Sequence, residues 1–329
     1  MSHHQSCLIT TISPGLSSRF GLAAETQAVH NTSMNPDLPA PGTYVLAVSG
    51  GVDSVSLLHL LQAQPNYKFV VAHFDHGIRP DSVEDRHLVQ QLAQSYRLPF
   101  VYETGNLGAG ASEAEAREAR YAFLRRVQEA SGAQALITAH HQDDVLETVI
   151  INLLRGTGRK GLTSLRSHDD LARPLLGIPK QALIAYAQDQ GLVWREDSTN
   201  QNLDYLRNYV RHQIVPRFNE VARQRLLDLV KDLGPTNDEL DGLLSEQLRL
   251  QTQPGQLDRH YFVQLPHAVA REVIAAWLRA HGIANFDSPT LERLVVAAKT
   301  GAAGQRFDVL QGVTMRVNRD NLALVAQER

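Results

Sequence analysis

The chain of 329 residues contains one cysteine, Cys7. A single thiol excludes a disulfide scaffold, a cysteine-ligated zinc site, an iron–sulfur cluster and any mechanism built on a pair of protein thiols. Also missing is an apolar run approaching the ~20 residues of a membrane helix, so no membrane partner is expected. Charge of one sign is not in excess: 32 Lys and Arg stand against 35 Asp and Glu, a net of −3. The chain as a whole therefore lacks the basic signature of a nucleic-acid binder. Residues 1–42 lack helical or strand periodicity, hold one Arg and two acids, and have no apolar h-region. They read as a disordered leader, not a signal or transit peptide. Met34, nine residues before the first strand, is an alternative translation start to Met1.

What is present has ordinary soluble composition, 43% hydrophobic and 20% charged. The length predicts two domains. Charge is unevenly spread: residues 1–150 are net −6, residues 151–230 net +4 and residues 231–329 net −1. The basic middle segment is either scatter of solvated side chains or a surface that meets a polyanion.

From Gly42 onward short apolar runs alternate with helical periodicity. Strands are predicted at 44–48, 68–73, 100–102 and 135–139. Helices are predicted at 52–62, 83–96, from a Ser112/Glu115 capping box, and at 143–155 and 179–190. This order specifies an α/β domain over residues 43–218, a parallel sheet with helices on both faces. Ligands of such sheets bind beyond the carboxyl ends of the strands. A mostly helical stretch at 206–229 leads into a helical linker over 219–256, broken at Gly234-Pro235-Thr236-Asn237. Residues 257–329 form a smaller C-terminal α+β domain. It has helices at 267–281 and 289–300 and a closing pair of strands near 305–309 and 313–325.

The strongest local signal is Ser49-Gly50-Gly51-Val52-Asp53-Ser54, directly after the first strand and opening a helix. Two glycines let the backbone approach an anion, and the helix start offers unpaired N–H groups and the positive end of the dipole. Ser49 and Ser54 add hydroxyls. No Lys follows the glycines, so this is not a Walker loop. Asp53 beside phosphates makes sense if a divalent cation such as Mg²⁺ lies between them. The plain alternative is a Gly-rich turn with a solvated acid at a helix start.

The hexapeptide resembles the PP-loop of the N-type ATP pyrophosphatases, which split ATP between its α and β phosphates. Six later motifs narrow the resemblance. They are His73-Phe74-Asp75-His76-Gly77-Ile78-Arg79, Glu113 to Tyr121, His140-His141-Gln142-Asp143-Asp144-Val145-Leu146-Glu147-Thr148, Leu154 to Leu162, Glu196 to Asn200, and Tyr205 to Arg211. In this order they resemble the tRNA(Ile)-lysidine synthetase family, over about residues 43–218 and more weakly over 257–329. Longer members carry a further C-terminal domain beyond the point where this chain ends.

The resemblance implies a cytoplasmic ligase with ATP and Mg²⁺ as cofactors. Its partners would be free L-lysine and an isoleucine tRNA with a CAU anticodon. ATP adenylates the C2 oxygen of the wobble cytidine, lysine displaces AMP, and lysidine results; a homodimer is left open. It assigns ATP binding to Ser49, Gly50, Gly51, Val52, Asp53, Ser54, His73, Asp75, His76 and Arg79. Asp53, Asp144 and Glu147 become the catalytic residues, with Asp53 and Asp144 as Mg²⁺ ligands. Arg117, Arg120, Arg155, Arg159, Arg207 and Arg211 become tRNA contacts.

The residues fit on physical grounds too. Asp143, Asp144 and Glu147 share a helix face by their spacing. Such carboxylates can hold a cation or accept the proton that a lysine amine must lose before attack; they can also merely complement the helix dipole. His73, His76, His140 and His141 raise a zinc alternative, which an ATP site at the same edge disfavours. Among competing readings, a tRNA thiolation enzyme needs paired cysteines. A small-molecule synthetase predicts no RNA surface, and a noncatalytic relative predicts a damaged loop.

Overall fold

A computed structural model describes residues 34–77, 82–105, 107–108, 112–196, 203, 205–251, 256–283, 286–310 and 312–326. The leader 1–33, Arg79 and residues 197–200 lie outside the described residues. The chain divides into two compact units, one of residues 1–147 and 165–215, the other of 148–164 and 216–329.

The first unit is built on a parallel sheet of order β3-β2-β1-β4-β5. Its strands are β1 (Thr43–Ala47), β2 (Lys68–Asp75), β3 (Phe100–Thr104), β4 (Ala135–Ile137) and β5 (Leu171–Ala172). Side chains alternate between its faces, as a period of two requires. Tyr44, Leu46, Phe69, Val71, Ala135 and Ile137 join one apolar cluster, with Leu57, Leu58 and Leu61 of α1 (Val52–Gln62), Val89 of α2 (Ser82–Ser95) and Leu183 of α6 (Lys180–Asp189). Val45, Ala72, Phe74 and Leu136 face the other way, onto Phe123, Leu124 and Val127 of α3 (Glu113–Ser131). The expected capping box starts α3: Glu115 N donates to Ser112 Oγ at 3.2 Å, and Ser112 N donates to Glu115 Oε2 at 2.8 Å. β1 pairs with β2 on one side and β4 on the other, so the chain reverses its winding between β1 and β4. The crevice beyond their carboxyl ends is where this topology places a ligand.

Residues 34–42, expected to be disordered, run along this unit. Asp37 N donates to the Pro174 carbonyl at 2.9 Å, Tyr67 Oη donates to the Pro39 carbonyl at 2.6 Å, and Met34 and Leu38 pack on the core. Aromatic hydroxyls reaching back to an aperiodic segment leave no sequence period to read.

The helix α4 (Gln142–Leu154) follows β4, and the short α5 (Arg159–Leu162) follows it. The stretch expected as helix over 206–229 is divided. It runs as α7 (Leu206–Tyr209), a wider π turn at Val210–Ile214 and a 3-10 turn at Val215–Arg217. Pro216 cannot donate to the preceding turn, and Asn219 then caps a new helix through Ala222 N at 2.8 Å.

That helix, α8 (Glu220–Gln251), runs unbroken through Pro235, against the break expected there. Its Leu244 and Leu248 pack into the core of the second unit, so the expected linker contributes to that core. The unit's antiparallel sheet has order β6-β9-β8-β7, with β6 (Gln256–Asp258), β7 (Arg306–Leu310), β8 (Val313–Val317) and β9 (Asn321–Ala326). The single run expected at 313–325 is two strands, because Asn318 N turns back to the Asn321 carbonyl at 2.8 Å. Helices α9 (Arg259–Gln264), α10 (His267–Ala280) and α11 (Ser288–Thr300) cover the sheet around Phe262, Trp277, Leu294 and Met315. No described helix is long and apolar enough to cross a membrane.

Candidate active site at the sheet switch point

The loop between β1 and α1 is tied by its own hydroxyls. Ser54 Oγ accepts from Ser49 N at 3.1 Å and Gly50 N at 3.2 Å, and donates to the Gly51 carbonyl at 3.0 Å. Ser54 thus shapes the loop from inside and is not the outward donor expected of it. Gly50 has φ +98°, a left-handed backbone that excludes other side chains at low cost. Its carbonyl accepts from Arg195 N at 3.0 Å, and the Arg195 side chain is bound to α2 through Asp85 at 2.7 Å and through Glu84. The first turn of α1, with Val52 and Asp53, leaves N–H groups without helical partners, directed beyond the strand ends.

Asp53 Oδ2 lies 3.0 Å from Lys180 Nζ and 3.6 Å from His141 Nε2. Burial alone would raise its pKa, but His141 and then Lys180 outweigh burial and hold the carboxyl below its ordinary range. His141 shifts the opposite way: burial opposes its charge, yet Asp53 and Asp144 raise its pKa. Asp53 Oδ1 is buried and has no hydrogen-bond partner.

At the start of α4 the acids divide their work. Asp143 Oδ2 accepts from Lys180 N at 3.1 Å at the start of α6 and lies 3.9 Å from His141 Nδ1. Asp144 Oδ2 accepts from His141 N at 3.0 Å and lies 3.5 Å from His141 Nε2. Glu147, 1% exposed, is held in a fork by Arg211, Nε to Oε1 at 2.6 Å and Nη2 to Oε2 at 2.9 Å. Burial pushes the Glu147 carboxyl above its usual range, and Arg211 only partly offsets this. Arg207 stands 3.9 Å from Asp144, 3.8 Å from Glu147 and 3.2 Å from Glu113. Arg207 and Arg211 were expected on an RNA surface; the structure spends them on the site's own carboxylates. The π turn that carries Arg211 is a feature that often marks functional sites.

The remaining expected residues separate. His73 Nδ1 donates to the Val48 carbonyl at 2.9 Å and fixes the exit of β1, leaving its Nε2 buried without a partner. Asp75 Oδ1 accepts from Gly77 N at 2.9 Å in a turn of its own, and His76 packs edge-on to Phe74. His140 Nδ1 bonds Thr138 Oγ1 at 2.9 Å. Among the described residues no group of three or more His, Cys, Asp or Glu is placed to hold a metal. Arg117 is exposed, its guanidinium 4.8 Å over the Tyr121 ring, and half-buried Arg120 lies 5.5 Å from the same ring. In the second unit Arg155 is exposed. Arg159 is consumed by Asn237 Oδ1 at 2.8 Å, Asp241 at 2.8 Å and Glu272 at 3.0 Å. It ties α5, α8 and α10 together and is not a free cation.

Lys180, Arg195 and Asp85 were missed. The signal for Lys180 was available: a helix that follows a parallel strand starts at the same edge as the loop, and Lys180 is the first residue of such a helix. Arg195 and Asp85 lie 110 residues apart with no spacing to betray them.

A parallel sheet of this order, with a Gly-rich loop and carboxylates at its switch point, defines a PP-loop protein, and the model of the PP-loop domain matches residues 24–218. Relatives are more specific. A tRNA(Ile)-lysidine synthase of Thermosynechococcus vestitus is 34% identical over 85% of this chain and 85% of its own. Enzymes of the same name from Thermus thermophilus and Geobacter sulfurreducens are 38% and 39% identical over 73% and 62% of this chain. The chain belongs to the tRNA(Ile)-lysidine synthase family. It spans about half the length of the Thermus and Geobacter relatives, 49% and 47%.

Proposed function

We propose that the chain joins free L-lysine to C2 of the wobble cytidine of a CAU-anticodon isoleucine tRNA, converting ATP to AMP and pyrophosphate. The observation that carries this reading is a phosphate cradle and a carboxylate–guanidinium ladder meeting at one switch point in a member of this family. In the first step the C2 oxygen attacks the α phosphorus, and the bond to pyrophosphate breaks. The N–H groups at the start of α1 hold the phosphates, and the low-dielectric edge strengthens those bonds. Mg²⁺ fits here: it is bound by one or two carboxylates plus substrate phosphates, and Asp53 keeps one buried oxygen without a partner. Asp53 and Asp144 would hold it, and it would neutralise charge on the leaving pyrophosphate.

In the second step the neutral ε-amine of lysine attacks C2 and the bond to AMP breaks. Asp144 and Glu147 attract the ammonium form, and Glu147 takes its proton, because burial raises its affinity for one. Arg211 fixes the carboxylate plane, and each carboxylate oxygen keeps a second lone pair for the amine. Of the six arginines expected at the tRNA, Arg117 and Arg155 are exposed and available to RNA phosphates.

The test is a single-turnover assay with labelled ATP and unmodified tRNA, scoring adenylated tRNA and lysidine separately. The wild-type chain forms both products, and only with the CAU tRNA. Glu147→Gln accumulates the adenylate. Exchange of pyrophosphate into ATP without any tRNA would instead point to a small-molecule acceptor.

A further inference from the structure

We propose that Lys180 is a substrate-contacting cation for the β and γ phosphates, delivered to the PP-loop from α6. The inference rests on reading the switch point as an ATP site. The loop has no lysine of its own, and it carries an acid, Asp53, where a triphosphate would bring several negative charges. Lys180 Nζ sits 3.0 Å from Asp53 Oδ2, so a positive charge already stands at the mouth of the loop. An ammonium has three protons. One is committed to Asp53, and the side chain is 35% exposed, so the others remain accessible to phosphoryl oxygens.

The ammonium is placed by a rigid support. Lys180 N is held by Asp143 Oδ2 at 3.1 Å. Helix α6 is bound to α1 by Ser56 Oγ donating to the Leu183 carbonyl at 3.4 Å and by the His59–Tyr186 hydrogen bond at 2.7 Å. Leu183 is part of the core. The two helices therefore present their first residues together. A purely structural task would not need the ammonium, since the backbone N–H already docks α6, and a partly exposed ion pair contributes little. The other oxygen of Asp53, buried and without a partner, stays free for a cation.

Binding of ATP and of AMP to the full chain, without tRNA and in Mg²⁺, tests this by calorimetry. AMP lacks the two phosphates that Lys180 is assigned to meet. Lys180→Met should weaken ATP roughly 10- to 100-fold, the loss of a charge-assisted hydrogen bond, and change AMP less than about twofold. Lys180→Arg should recover part of the ATP affinity, and it serves as the readout if Lys180→Met fails to fold. Equal loss for ATP and AMP, or no loss for ATP, overturns the assignment. A wild-type chain that binds no ATP overturns the reading of the site itself, a result distinct from either variant.

Discussion

In the first unit the buried polar side chains include His73, Asp75, Asp85, His141, Asp144, Glu147 and Arg173, whereas those buried in the second, among the described residues, are Thr163, Asn237 and Thr314. The first unit keeps ionisable groups out of water, and most of them stand at or just beyond the carboxyl ends of its strands. The second buries neutral polar groups and packs Trp277, Phe262 and Met315 into an apolar core. Buried charge is a poor way to gain stability, and breaking such a pair is costly. Its concentration at one edge therefore marks where chemistry, not packing, sets the residue choice.

The sharpest way to break this contrast is Asp53→Ala. It should lower pyrophosphate release by at least about 10²- to 10³-fold, the cost of removing one preorganised electrostatic group, with the fold retained by circular dichroism. Wild-type release would remove Asp53 from the site. In the second unit Trp277→Ala should destabilise by about 3–5 kcal/mol, seen as faster hydrogen exchange in α10 and α11, while ATP affinity holds. Loss of ATP binding in parallel would mean that the two roles are not separable.

A smaller effect separates the units by pH. Burial lowers the pKa of His73, and burial pushes that of His140 down to about 3. Both imidazoles stay neutral in the fold while the unfolded chain gains protons below about pH 6.5. Stability from these groups is thus full above pH 6.5 and is lost as pH falls toward 3. His141, whose pKa is raised, works the other way over the same range, so the test is a difference: His140→Asn should lose less stability than the wild type from pH 7 to 5, seen in hydrogen exchange of β1, β2 and β4 after correction for intrinsic rates. An equal loss in both would sink the assignment. The smallest expected effect is on RNA: Arg117→Ala should reduce the salt dependence of tRNA binding by about one counterion, and Arg211→Ala should not. Equal slopes for both would return Arg211 to the surface.

Much of this was legible in the sequence, since period and caps give α1, α3 and the alternation of strands and helices as far as β4, and the loop after β1 announces its anion chemistry; the two-residue β5 and the order of strands in the sheet were not. Local pattern could not show how charges pair. Arg207 and Arg211 look like surface cations until the fold brings them to Asp144 and Glu147, some 60 residues upstream. Asp143 and Asp144 are neighbours in sequence and both lie near the His141 ring, yet Asp143 accepts from the first N–H of α6 while Asp144 accepts from His141 N. The order of residues 34–42 and the continuity of α8 through Pro235 also depend on contacts that no period records.

The clamp on Gly50 has a consequence for how the protein is made. The loop lies between the first strand and the first helix, but Arg195, whose N–H holds the Gly50 carbonyl and whose guanidinium grips Asp85, leaves the ribosome much later. Bonds across so large a separation form late, because the intervening chain must be ordered first. A nascent chain that has emerged only through β4 has its glycines but not the strap that sets them. Nucleotide affinity should therefore rise abruptly between truncations ending before and after Arg195, with the cradle among the last parts of its unit to mature.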